Sequence, residues 1–182
     1  MSDVKAPNDI LAFWQAAGYE KWFNKDDAFD AAIRERFLPT YDAAAAGRLN
    51  DWAETPDGAL ALIILLDQFP RNMFRGSAQS WATDSMARDV TRRALAEGFD
   101  EQVPAELKTF FYLPLMHSEN IEDQQQCVEL YRALGDENSL KYAELHEEVV
   151  RRFGRFPHRN PVLGRTTTPE EQAFLDDGGF SG

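Results

Sequence analysis

The chain has 182 residues, of which 43% are hydrophobic and 12% aromatic. This is enough apolar material for a packed core, and it excludes a disordered chain. The length is typical of one domain. Together with the helix signals described below, it predicts a single all-helical domain over residues 1–182. The formal net charge is −12 at pH 7, and an acidic surface repels phosphate backbones and anionic lipid. We therefore expect neither nucleic acid nor a membrane as a partner.

Helix signals begin near the amino terminus. Asn8 is expected to cap a first helix, which Gly18 ends. A second helical region runs from about residue 26 to residue 46, where aromatic and aliphatic side chains recur every four residues. Pro39 lies inside this region and predicts a break or a kink.

The central helix is the most apolar element of the sequence. Thr55 and Pro56 supply an N-cap and a proline at the first helical position. Residues 59–66 are apolar on every side, which predicts a helix buried at the centre of a domain. The same run is far too short to span a bilayer.

The second half of the sequence continues with helix signals and shows no convincing strand alternation. Gly98, Gly135 and Gly154 each follow an amphipathic segment and are typical of helix ends. Further helices are expected at residues 81–97, from Pro104, at 121–134, at 138–153 and after a capping box formed by Thr168 and Glu171.

The predicted fold class is all-α, with about eight helices in antiparallel pairs. Residues 121–134 and 138–153, joined by a tight turn, have the size of one helical-hairpin repeat. We favour a right-handed stack of such hairpins, similar to tetratricopeptide repeats. A compact irregular bundle is the alternative.

Cysteine usage and the first residues favour a cytoplasmic protein. The single cysteine, Cys127, cannot form an internal disulfide or a cysteine metal site. Residues 1–7 lack a basic segment followed by an apolar run, so they do not predict a secretory signal. We expect a soluble, cytoplasmic chain.

Three apolar helices are each followed by a short polar segment that contains or adjoins proline. The first cluster is residues 67–75, the second is residues 110–120 with its polar end at 117–120, and the third is residues 153–161. Polar groups at the end of a buried helix need partners or a ligand, because each unpaired group costs roughly 1–3 kcal/mol. Two of the clusters can share a face and loops can bring in the third, so we expect one polar site.

This predicted site is rich in arginine, histidine and asparagine, although the chain is strongly acidic. Arginine binds carboxylate or phosphate through paired hydrogen bonds, so the contrast favours a pocket for a small anionic ligand or an acidic peptide end. The predicted ligand-binding residues are Arg71, Asn72, Arg75, Arg155, Arg159 and Asn160. A histidine with a neighbouring carboxylate suits acid–base chemistry, and the candidate catalytic residues are His117, Glu119 and His158.

A structural interpretation of these clusters stays open. The C-terminal ends of helices carry partial negative charge and orphan carbonyls, which arginine and histidine satisfy. Arg71, Arg155 and His158 are then caps that pair with acidic neighbours. The candidate partners are Asp67, Glu119, Glu122 and Asp123. His146 lies on or beside a core stripe and is expected to be a packing histidine.

Metal and cofactor motifs are missing from the sequence. No His-x-x-x-His or Glu-x-x-His pair occurs, so we predict no metal site. A Gly-x-Ser-x-Gly elbow and a phosphate-cradling glycine loop are also absent, and we expect no cofactor.

Three functions remain compatible with these patterns. The first is a binding module with a cation-lined pocket, which we favour. The second is a protein–protein interaction scaffold whose polar clusters are purely structural. The third is a metal-independent hydrolase, in which His117 or His158 is the general acid or base, Glu119 orients it and arginines stabilise developing negative charge.

The three clusters also resemble a known family. The motifs are Leu66-Asp67-Gln68-Phe69-Pro70-Arg71-Asn72, Phe111-Tyr112-Leu113-Pro114-Leu115-Met116-His117-Ser118-Glu119 and Arg155-Phe156-Pro157-His158-Arg159-Asn160. With residues 164–180, they resemble an uncharacterised, largely bacterial family catalogued as domain of unknown function 924, over nearly the whole chain. The resemblance implies an all-helical fold similar to tetratricopeptide repeats. It brings no established activity, cofactor or catalytic residue.

Overall fold

The computed structural model describes residues 4–180, which form eight α-helices and short 3-10 turns, without any strand. The predicted all-α class and helix number are confirmed. The helices are α1 (Pro7–Phe23), α2 (Asp27–Ala45), α3 (56–73), α4 (Asp84–Ala96), α5 (Thr109–Met116), α6 (Ile121–Leu134), α7 (Glu137–Phe153) and α8 (Pro169–Asp176). The 3-10 turns lie at Asn50–Glu54, Ala78–Trp81, Phe99–Gln102, Ala105–Leu107 and Pro157–Arg159.

Two compact units divide the chain within α5. The first is Met1–Pro114 and the second is Leu115–Gly182. One folding domain over residues 1–182 stays a prediction, and so does the stacking of helical hairpins in the manner of tetratricopeptide repeats. Over residues 4–180, no helix is both long enough and apolar enough to cross a membrane.

The first unit is built around α3, whose residues 58–70 are all buried. The Thr55 hydroxyl accepts a hydrogen bond from the Gly58 N–H at 3.2 Å, and Pro56 follows it at the first helical position. Helices α1, α2 and α4 pack against α3. The predicted N-cap and the burial of the central helix are therefore confirmed.

A single turn of π-helix interrupts α3. The α-helical stretch Pro56–Ile63 passes into a π-helical turn over Ile64–Gln68 and then into a second α-helical stretch, Phe69–Met73. The N–H of Phe69 donates to the carbonyl oxygen of Ile64, five residues before it. Turns of this kind are frequent at functional sites.

Several helix boundaries differ from those predicted. Helix α1 begins at Pro7 with Ala6 as its N-cap, not at a cap on Asn8, because the Asp9 carboxylate accepts from the Ala6 N–H at 2.9 Å. Gly18 does interrupt α1, with φ +73°, but helix resumes after it. Helix α2 continues through Pro39 without a break.

Two later helices begin after the predicted residue. Residues 78–81 form a 3-10 turn capped by the Ser77 hydroxyl, so α4 starts at Asp84. Similarly, the segment after Pro104 makes one 3-10 turn before α5 starts at Thr109.

The second unit contains the helical hairpin predicted from the sequence. Helices α6 and α7 pack along one another across the short connection at Gly135 and Asp136. The hydrophobic core of the second unit contains Val149, Val150 and Phe156. Packed around them are Ile121, Phe153, Phe174 and Phe180. The capping box of Thr168 and Glu171 at the start of α8 is confirmed.

Candidate functional site

The first cluster lies in the first unit, at the end of α3, where Arg71 joins two buried carboxylates. Its Nη1 and Nη2 donate to the two oxygens of Asp84, at 2.8 Å and 3.0 Å. Nη1 also donates to the backbone oxygen of Asp67 at 2.7 Å and to its Oδ1 at 3.2 Å. Asp67 is 0% exposed and Asp84 6%. Burial opposes the charge of Arg71, but the two carboxylates outweigh burial and raise the pKa of Arg71.

Side chains also satisfy the carbonyl groups at this end of α3. Pro70 has no N–H to donate to the Leu66 carbonyl, four residues before it. The hydroxyl of Thr83 donates to that oxygen instead, at 2.6 Å. Arg34 donates to the Met73 carbonyl at 2.9 Å. The end of the buried helix is thereby closed by groups from α2 and from the residue before α4.

Asn72 and Arg75 bind one carboxylate of α2. Asn72 Nδ2 donates to Asp30 Oδ1 at 2.7 Å, and Arg75 donates to both oxygens of the same side chain. These contacts link α3 to α2. We call Asp30, Asp67, Arg71, Asn72, Arg75 and Asp84 the first network.

The second and third clusters meet in the second unit. Glu119 accepts hydrogen bonds from the Phe156 N–H at 2.8 Å and from two nitrogens of Arg165 at 2.8 Å and 2.9 Å. Burial opposes ionisation, but these donors outweigh it and lower the pKa of Glu119. The second and third clusters therefore lie together within one unit, and one polar site formed by all three clusters stays a prediction.

A second carboxylate organises the remainder of the third cluster. Glu171, 2% exposed, accepts from Arg155 Nε at 2.6 Å and Nη2 at 2.9 Å, from Asn160 Nδ2 at 3.2 Å and from the Thr168 N–H at 2.8 Å. The hydrogen bonds from Arg155 are the main cause that lowers the pKa of Glu171 to about 2. Asn160 Oδ1 accepts from Arg165 Nε at 2.9 Å, which joins the two carboxylate centres.

We call these residues of the second unit, together with Arg159, whose positive charge also lowers the pKa of Glu119, the second network: Glu119, Arg155, Arg159, Asn160, Arg165 and Glu171. Sequence reasoning included Glu171 only as a helix cap and did not assign Arg165 to the site. The motif after the third cluster contains Arg165, but nothing local indicates its partner, because Glu119 is 46 residues away along the chain.

Arg159, His146 and His158 pack around the buried ring of Phe156, and His117 lies beside Arg159. The guanidinium carbon of Arg159 lies 4.6 Å from the centre of that ring, and Arg159 Nη2 donates to the His117 carbonyl at 3.0 Å. The ring centres of His146 and His158 lie 5.6 Å and 5.8 Å from that of Phe156. We call His117, His146, His158 and Arg159 the histidine–arginine cluster.

His146 is a buried, neutral member of this cluster. Its Nδ1 lies 2.7 Å from the Tyr142 carbonyl oxygen, which can only accept, so Nδ1 carries the proton and Nε2 the lone pair. Burial is the main cause that lowers the pKa of His146 to about 3, and the positive charges of His117, Arg159 and His158 lower it further. The predicted packing histidine therefore lies beside the candidate catalytic and ligand-binding residues.

The candidate residues thus fall into two groups. Arg71, Asn72 and Arg75 belong to the first unit, and their hydrogen bonds described above go to groups of that unit. The second unit brings together His117, Glu119, Arg155, His158, Arg159 and Asn160. Within residues 4–180, no group of three or more histidine, cysteine or acidic side chains is placed to hold a metal ion.

Comparison with known proteins identifies the family but no activity. No curated protein matches the sequence. A solved structure of a protein of unknown function from Agrobacterium tumefaciens is similar, with a TM-score of 0.91 and 48% sequence identity, over 94% of this chain and 97% of that one. Residues 10–179 match a family described as bacterial protein of unknown function (DUF924). Because the match covers nearly the whole sequence, the chain belongs to this family.

Proposed function

We propose that the protein binds a small anionic ligand at the histidine–arginine cluster of the second unit. One observation carries the proposal: Arg159, His146 and His158 pack against a single buried aromatic ring, and Arg159 also donates to the backbone of His117. Guanidinium and imidazolium groups form charge-assisted hydrogen bonds with phosphate and carboxylate oxygens. Such a grouping contrasts with the net charge of −12 of the chain.

The electrostatics of the cluster support an anion rather than a cation. The charges of His117, His158 and Arg159 all disfavour protonation of His146. The permanent positive charge of Arg159 attracts a negatively charged ligand, and a bound anion in turn favours the protonated forms of His117 and His158. His146, kept neutral by burial, adds no further charge.

The other candidate residues act as positioning residues in this proposal. Arg155, Asn160 and Glu119 each use their polar atoms to hold the segment that carries His158 and Arg159. Arg71, Asn72 and Arg75 stabilise the first unit. The proposed ligand contacts are therefore narrower than the full set expected from the sequence.

Hydrolysis has less support than binding. A hydrolase would use Glu119 to orient His117 or His158, but both oxygens of Glu119 accept from Arg165, and Oε1 also accepts from the Phe156 N–H. A carboxylate with these partners holds the segment that follows α7 and does not orient a histidine. We therefore assign Glu119 a positioning role.

The test is a titration of the full chain with inorganic phosphate at constant ionic strength, observed through the histidine ring signals in NMR spectra. We expect saturable shifts of the His117 and His158 signals, because the anion lies against these rings. Arg159→Gln should weaken binding at least about tenfold, as expected when a charged hydrogen bond is lost. His158→Gln tests the site independently if the buried Arg159 variant does not fold.

Arg132→Gln is the matched control. Arg132 is an exposed arginine of α6 that pairs with Glu129 and Glu144 at the surface. Its substitution should leave phosphate affinity unchanged. If phosphate, acetate and citrate all fail to shift the histidine signals saturably, the proposal is wrong.

A further inference from the structure

An aromatic side chain from beyond α8 packs against two histidines of the histidine–arginine cluster. The ring centre of Phe180 lies 4.2 Å from that of His146 and 5.5 Å from that of His158. It also lies 6.2 Å from the ring centre of Phe156. Phe180 is half-buried, so one part of its ring is enclosed by the cluster and another part remains accessible to solvent.

Two glycines place Phe180 on the histidines. Gly178 has φ +78°, in the left-handed region that favours glycine. The Gly179 N–H donates to the Phe174 carbonyl at 2.9 Å. A Cβ at position 179 would lie 2.4 Å from that carbonyl oxygen and 2.6 Å from the Phe174 ring. The turn that directs Phe180 toward the cluster is therefore a property of these glycines.

The contact with Phe180 uses only part of what the two imidazole rings offer. Imidazole rings offer hydrogen bonds at their edges and an aromatic face, and the Phe180 ring can use only the aromatic part. The cluster therefore already accommodates one aromatic ring beside groups suited to binding an anion.

We propose that Phe180 occupies a subsite for an aromatic ring of the ligand, so that the ligand is a small aromatic anion, a phosphate or carboxylate carried on an aromatic ring. This inference rests on the proposed function for its location. In the ligand complex the anionic group binds the histidine–arginine cluster, and the ring takes the place of Phe180 between His146 and His158.

Competition with Phe180 follows from this arrangement. The ring of such a ligand needs the subsite that Phe180 fills. The ligand therefore binds only the fraction of molecules in which Phe180 has moved away, and the apparent affinity for the ligand is lowered. Inorganic phosphate carries no ring and binds without displacing Phe180. The two ligands should therefore respond differently to the removal of the Phe180 side chain.

The test compares phenyl phosphate with inorganic phosphate in the wild-type protein and in Phe180→Ala. We expect Phe180→Ala to raise the affinity for phenyl phosphate by about fivefold or more, because the competing ring is gone. The affinity for inorganic phosphate should not change. Phe180→Leu, which keeps apolar bulk without an aromatic ring, should give an intermediate increase.

Phe23→Ala is the matched control. Phe23 is an exposed phenylalanine of the first unit that packs against Tyr19 and Phe110. Its substitution should change neither affinity.

Each outcome separates the two proposals. If inorganic phosphate binds but Phe180→Ala leaves the affinity for phenyl phosphate unchanged or lowers it, the aromatic subsite is wrong while anion binding stands. If neither ligand binds the wild-type protein or Phe180→Ala, both proposals are wrong.

Discussion

The two polar networks combine arginines and carboxylates in opposite proportions. In the first network three aspartates, Asp30, Asp67 and Asp84, meet two arginines. The second network contains two glutamates and three arginines, with histidines beside Arg159. Both looked alike in the sequence as arginine-rich ends of apolar helices. The local balance of charge, which depends on partners from other elements, distinguishes the two networks.

The largest expected effect comes from removing the centre of the first network. Arg71→Ala takes a shared guanidinium from two buried carboxylates, and breaking such a buried pair costs about 3–5 kcal/mol. Denaturant unfolding should show this loss in the free energy of unfolding. Arg75→Ala, which removes a more exposed pair with Asp30, should cost less than about 1 kcal/mol. Equal losses in the two variants would contradict the role given to Arg71.

The free energy of unfolding should also depend on Glu171, the buried carboxylate of the second network, but less strongly than on Arg71. Glu171→Gln removes the charge that pairs with Arg155, while the amide retains some hydrogen bonds. We expect a loss of about 2–3 kcal/mol, because the site is buried on the glutamate side and partly open on the arginine side. Glu170→Gln, beside it but exposed, should change stability by less than about 0.5 kcal/mol. A small effect of Glu171→Gln would mean that its charge is dispensable.

Hydrogen bonding at the end of α3 can be tested with two buried threonines. Thr83→Val removes the donor to the Leu66 carbonyl and should cost about 1–2 kcal/mol. Thr91 is also buried, and its hydroxyl has no hydrogen-bond partner among residues 4–180. Thr91→Val should therefore be close to neutral in the same thermal or denaturant unfolding measurement. A similar cost at both positions would show that the Thr83 contact contributes little.

The smallest expected effect concerns the pH dependence of the second unit. The folded pKa of His146 is about 3, below the ordinary value of about 6.5. As pH falls below about 6.5, the unfolded chain binds a proton that the folded ring does not, so the free energy of unfolding decreases. His146→Phe removes this contribution, which amounts to about 1 kcal/mol between pH 6.5 and 5.5. If the free energy of unfolding changes with pH in the same way in the wild-type protein and in His146→Phe, His146 is not the buried neutral group described above.

Local signals predicted those features that depend on neighbouring residues. The bounds of α6, the cap at Thr55 and the capping box of Thr168 and Glu171 all rest on contacts within one turn of helix. The N-cap predicted at Asn8 was wrong, because Pro7 takes the first helical position and the Asp9 carboxylate binds the N–H of the Ala6 cap. The π-helical turn at Ile64–Gln68 has no clear local signature and was not predicted.

The candidate site was predictable only in part, for a related physical reason. Arginine, histidine and asparagine at helix ends show where donors occur, but most of their acceptors lie on other elements. The pair of Arg71 with Asp67, four residues before it, is the local exception. Asn72 and Asp30 are 42 residues apart along the chain, and Arg165 and Glu119 are 46 apart. The sequence therefore indicated polar clusters without showing which arginines are held by carboxylates.

The π-helical turn of α3 also has a consequence for the register of the helix. A π turn contains one residue more than an α turn, so the two α-helical stretches of α3 are offset by about 100° around the axis. Deleting one residue between positions 64 and 68 would restore a continuous α-helix and rotate everything after it. Arg71 would then point away from Asp84, and two buried carboxylates would lose the guanidinium they share. The extra residue is what directs Arg71 to its partners.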